Sequence, residues 1–159
     1  MKTLNTTLRI LIVEDSEDDA LLTLRALRRG GFEVTHRRVQ TAVQMAAALA
    51  DARWDAVLSD YNLPGFSGMR ALEIFHSAGL DIPFIVISGA SGEETAVNMM
   101  KAGASDYIMK LNLARLAPAR AVARVRSTPS KAAALSDRLS SRHAIATSIA
   151  STGFAQSPG

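Results

Sequence analysis

The 159-residue chain contains no cysteine. That absence rules out a disulfide framework, thiol nucleophiles and cysteine-ligated zinc. Long apolar runs are missing too: stretches such as 82–87 and 10–13 fall far short of the roughly 20 residues a membrane helix needs. The opening residues Met1-Lys2-Thr3-Leu4-Asn5 lack the apolar core of a signal peptide, so a soluble, cytoplasmic protein is expected, with no membrane partner. Acidic residues are scarce in one region only. Residues 1–110 carry 11 Lys and Arg against 14 Asp and Glu, net −3, whereas 111–159 carry 7 against 1, net +6. The basic pI of 9.7 therefore belongs to the C-terminal segment, and reading the whole chain as a nucleic-acid binder would be a mistake.

With 48% hydrophobic residues, the chain has the material for one domain with a core. Apolar, β-branched runs at 8–13, 32–37, 56–59, 83–88 and 107–109 predict five strands, the second shorter, half polar and near an edge. Between them, helical spacing predicts helices over about 17–29, 41–51, 68–78 and 91–102, and a fifth from 112 to about 126 that Pro118 delays or kinks. Val43, Ala47 and Leu49 are expected to face the core from the second helix. Leu72, Phe75 and Met69 are candidates from the third, and Val97 and Met100 from the fourth, which Ser91 is expected to cap. Strict alternation of strand and helix implies an α/β fold with a mainly parallel sheet and right-handed crossovers.

Parallel strands bring their C-terminal ends to one edge, and four of these strands end in chemistry-bearing residues: Glu14-Asp15, Asp60, Ser88 and Lys110. After Asp60 the turn dipeptide Pro64-Gly65 and Gly68 preclude regular structure. Alone, each has a plainer reading: a helix-start acid cluster, a turn aspartate, a strand-end hydroxyl, a solvated lysine. Their occurrence at successive strand ends carries the inference. Three acids at one edge repel each other unless a cation compensates, and hard oxygen ligands on loops suit Mg²⁺. Asp15 and Asp60 are expected to ligate it directly, with the backbone carbonyl of Asn62, and Glu14 partly through water. An aspartate beside such a metal can attack a phosphoryl group, while Ser88 donates a hydroxyl and Lys110 a charge to its oxygens.

At these residues the chain resembles the receiver domain of two-component response regulators, over residues 8–126. The signatures are Ile12-Val13-Glu14-Asp15, Ser59-Asp60-Tyr61-Asn62-Leu63-Pro64-Gly65, Val86-Ile87-Ser88-Gly89-Ala90 and Asp106-Tyr107-Ile108-Met109-Lys110. The resemblance implies a flavodoxin-like, doubly wound fold: a five-stranded parallel sheet flanked by five helices. It implies that Asp60 is the phosphoacceptor, taking phosphate from a phosphohistidine on a sensor histidine kinase or phosphotransfer protein with Mg²⁺ bound. Tyr107 falls at the family's switch aromatic: as Ser88 is drawn toward the phosphate, the ring turns inward and the face of the fourth helix, fifth strand and fifth helix changes shape. A downstream protein target and a homodimer are expected on that face. In most receivers proline follows the lysine; here Leu111 does. Residues 89–97 and 110–116 look more like receivers attached to, or standing near, hybrid sensor kinases than like those of transcription factors.

A receiver domain is thus expected over 1–126, followed by a basic Ala/Ser/Arg-rich tail over 127–159, partly helical across 132–149 and disordered from 153. The tail shows no helix-turn-helix pattern. The leading expectation is a stand-alone phosphorelay module, not an enzyme, with slow autodephosphorylation as its only chemistry. One alternative is a nucleic-acid-binding regulator using the tail, although nucleic acid is not the expected partner. The other is an aspartate-nucleophile phosphohydrolase, which usually has a second aspartate where Asn62 stands.

Overall fold

The computed structural model describes residues 6–89, 92–117 and 119. These lie in the first of two units into which the chain divides, Met1–Arg126 and Ser127–Gly159. The expectations placed on the tail lie outside the described residues.

Five parallel strands form the main sheet: β1 (Thr6–Val13), β2 (Phe32–Val39), β3 (Ala56–Asp60), β4 (Phe84–Ser88) and β5 (Asp106–Met109). Their order is β2-β1-β3-β4-β5, so β2 is at an edge as its half-polar sequence predicts. The chain runs outward from β1 to β2, then reverses across β1 to β3, which makes this a doubly wound, flavodoxin-like sheet whose switch point lies between β1 and β3.

Alternation within β1 divides the core. Leu8, Ile10 and Ile12 pack with Leu24 and Leu27 of α1 (Glu17–Arg29) and with Leu116 on one face. Leu11 and Val13 pack on the other with residues of α2 (Ala42–Asp51), α3 (Gly68–Ser77) and α4 (Glu93–Lys101). Ser16, Thr41 and Ser67 cap α1, α2 and α3, each accepting a hydrogen bond from the backbone N–H three residues on. A short antiparallel hairpin, Asn62–Leu63 against Phe66–Ser67, joins β3 to α3, and Gly65 at its tip has φ +83°, a conformation suited to glycine.

Several sequence expectations are corrected. In α2 the buried residues are Met45, Ala48 and Leu49, while Ala47 is exposed and Val43 is 81% exposed. The Ala-rich helix has too little apolar asymmetry for its sequence to specify the phase. In α4 the fully buried residue is Met99, while Val97 and Met100 face outward. With about 100° of turn per residue, Met99 lies on the far side of the helix from Val97, so apolar residues face both ways and only packing decides which enters the core. The N-cap of α4 is Gly92 and makes no side-chain cap bond; Ser91 lies outside the described residues. A 3-10 segment covers Lys110–Arg115, with Asn112 kinked at φ −119°, ψ 33°; residues 118 and 120–126 of the fifth helix expected from 112 lie outside the described residues.

Candidate functional site

Asp60 ends β3, the middle strand, and is 7% exposed. Its place between β1 and β4 follows from the strand order, with Val13 paired to Ser59 on one side and Ile87 to Asp60 on the other. The Asn62 N–H donates to Asp60 Oδ1 at 3.2 Å, closing a turn that aims the carboxylate at the strand edge. Glu14, which follows β1, is 5% exposed and accepts at Oε1 from the Ser16 N–H at 3.1 Å. The next residue, Asp15, is exposed. Among the described residues, Glu14, Asp15 and Asp60 form a cluster whose carboxylate oxygens lie within 4.8 Å of one another.

Lys110 follows the edge strand β5 and extends across the end of β4 into this cluster. Its Nζ lies 3.0 Å from Asp60 Oδ2, 3.2 Å from Glu14 Oε2 and 2.7 Å from Asp19 Oδ2. The pattern of strand ends brings Lys110 to the same edge as Asp60 and Glu14 but gives no sign of Asp19, in the first turn of α1. The signal available was its position one turn past the Ser16 cap, which brings it back over the strand edge. Ser88, fully buried, ends β4 one residue beyond the partner of Asp60. Tyr107 is half-buried in β5, pairs in register with Val86 and packs against the face carrying α2 to α4. Asn62 is exposed in the hairpin, beside an open groove of about 450 Å³ lined by Asp15, Asn62, Pro64 and their neighbours.

The electrostatics suit a divalent cation. Burial, reinforced by the Asp60 charge, pushes Glu14 up to about 7, against the opposing Ser16 hydrogen bond and Lys110. Burial alone would lower Lys110, but hydrogen bonds to Asp19 and Asp60 and the charges of Glu14 and Asp60 outweigh it and hold the ammonium above its ordinary range. One lysine thus serves several carboxylates, two of them nearly buried. A donor set of hard oxygens with excess negative charge is what Mg²⁺ takes.

Among the described residues no helix is long and apolar enough to cross a membrane. The family model for the response regulator receiver domain matches residues 10–119. Transcriptional regulatory protein PrrA of Mycobacterium tuberculosis is 36% identical over 105 residues, covering 64% of this chain and 43% of that protein. The chain therefore spans less than half the length of the PrrA proteins it matches. Among solved structures, a CheY-like response regulator receiver domain protein from Methanospirillum hungatei is 28% identical with a TM-score of 0.62, covering 77% of this chain and 96% of that one. NtrX from Brucella abortus is 29% identical with a TM-score of 0.65, covering 76% and 28%. A family match over more than half its length, on a sheet wound in this order, means that this chain belongs to the response regulator receiver domain family of two-component signalling.

Proposed function

We propose that Asp60 accepts a phosphoryl group from the phosphohistidine of a sensor histidine kinase or phosphotransfer protein, and that the modification switches binding to a downstream protein. The observation carrying this reading is the Lys110 ammonium 3.0 Å from Asp60 and 3.2 Å from Glu14 at one strand edge. A carboxylate oxygen of Asp60 attacks phosphorus; an O–P bond forms, the P–N bond breaks, and the imidazole leaves with its electron pair. Lys110, already at the carboxylate, donates to one phosphoryl oxygen and the Ser88 hydroxyl to another. Glu14, Asp15, Asp60 and the backbone carbonyl of Asn62 would hold Mg²⁺, which when bound supplies neutralisation of the charge on the transferring group.

Drawing Ser88 toward the phosphate makes room for Tyr107 to turn inward, reshaping the surface of α4, β5 and the segment after Lys110. The outward Val97 and Met100 of α4, 49% and 44% exposed, support that face as the docking surface for a target or a second copy. Turnover stops at slow hydrolysis of the acyl phosphate, because the Asn62 amide is far too weak an acid to serve as a general acid. The setting is the cytoplasm, where such kinases present their phosphohistidine.

Incubation of the full chain with a small acyl phosphate and Mg²⁺ should add one acid-stable, hydroxylamine-labile phosphate. Asp60→Asn should add none. Equal labelling of this variant and the wild type would overturn the assignment.

A further inference from the structure

A lysine ammonium has three N–H donors and no acceptor. In this site all three have carboxylate partners, and the nearest is the one outside the strand-edge cluster: Asp19 Oδ2 at 2.7 Å, against 3.0 Å for Asp60 and 3.2 Å for Glu14. Asp19 belongs to α1, and its backbone N–H is pinned to the Ser16 cap at 3.2 Å. It is not among the carboxylates gathered within 4.8 Å of one another. Its side chain is 37% exposed, whereas those of Glu14 and Asp60 are 6% and 8% exposed.

We infer that Asp19 is a positioning residue: it anchors the Lys110 ammonium from the helix side, so that a divalent cation can take over Glu14 and Asp60 without Lys110 leaving the site. This rests on the reading of Glu14, Asp15 and Asp60 as metal ligands. A cation bound to them competes with Lys110 for two of its three partners. Without Asp19, the ammonium has only those partners, so it resists the metal or, once displaced, loses its place beside the phosphoryl group. With Asp19 it keeps one short, charge-assisted bond throughout.

Calorimetric titration of the full chain with MgCl₂ tests this, using wild type, Asp19→Asn, Asp19→Glu, Lys110→Met and the Asp19→Asn/Lys110→Met pair, with melting temperatures measured alongside. Asp19→Asn should weaken Mg²⁺ binding about fivefold, Asp19→Glu should restore it to within about twofold, and Asp19→Asn should have little effect once Lys110 is Met, the signature of an effect passing through the lysine. Wild-type affinity in Asp19→Asn would overturn the inference, as would equal weakening in both backgrounds, which would mark Asp19 as a distant charge. Failure of the wild type to bind Mg²⁺ would instead overturn the metal reading, and the inference with it.

Discussion

The Arg38 guanidinium, near the end of β2, lies 3.2 Å from the carbonyl oxygen of Asp15 and also donates to that of Glu14 at 3.2 Å. With the Glu14 N–H bonded to the Val39 carbonyl at 3.0 Å, the turn carrying both acids is fastened to the neighbouring edge strand. Arg38→Met should therefore cost about 1 kcal/mol in chemical denaturation. Hydrogen exchange should show the Glu14 amide losing protection about fivefold. Unchanged exchange there would mean the turn is held by other contacts.

Glu14 makes stability depend on pH. Its folded-state pKa of about 7 lies above its ordinary value of 4.5, so the folded state keeps a proton that the unfolded chain releases. Its contribution is thus complete below about pH 4.5 and is lost as pH rises through 7. In chelator, the wild type should lose on the order of 2 kcal/mol between pH 5 and 8 relative to Glu14→Gln. Parallel urea titrations at the two pH values measure this, and parallel slopes for the two proteins would refute it.

Gly68 opens α3 against the turn that follows Asp60. A Cβ there would fall 2.9 Å from Tyr61 Cα and 3.1 Å from its ring, while the Gly68 N–H donates to the Tyr61 carbonyl at 2.7 Å. Gly68→Ala should push Tyr61 and the adjoining Asp60 backbone aside, costing about 1–3 kcal/mol in chemical denaturation. It should also slow phosphate labelling of Asp60, since attack depends on placement of the carboxylate. Wild-type stability in this variant would show that the turn yields freely.

The phase of α4 is open to a paired test. Met99 is fully buried and Met100 is 44% exposed. Met99→Ala should lose about 2–4 kcal/mol, and Met100→Ala should stay within about 0.5 kcal/mol of wild type. Reversed effects would mean that the helix is rotated from the orientation described.

Much of the site was legible because most of its residues end a strand. A strand of apolar residues that stops at Asp60, Ser88 or Lys110 announces both its length and the chemistry at its tip. What parallel pairing adds is that all the tips share one edge. Asp19 and Arg38 escaped that reading because their roles depend on neighbours distant in the chain. Asp19 accepts from a lysine 91 residues away, and Arg38 donates across the β1–β2 pair to carbonyls 24 and 23 residues back. Neither relation leaves a local pattern, and both residue types are commonly found solvated on helices and edge strands.

The sequence by itself determined the alternation of strand and helix, the glycine and proline breaks, and the set of polar strand ends, because these depend on local periodicity and backbone freedom. Only the tertiary structure decided which side of α2 and α4 enters the core, since apolar residues spread around a helix are sorted by what they pack against. It also decided the order β2-β1-β3-β4-β5. That order sets Asp60 between two flanking strands and leaves Lys110 to cross one strand end and meet carboxylates from β1, α1 and β3, where desolvation makes each charge depend on the others.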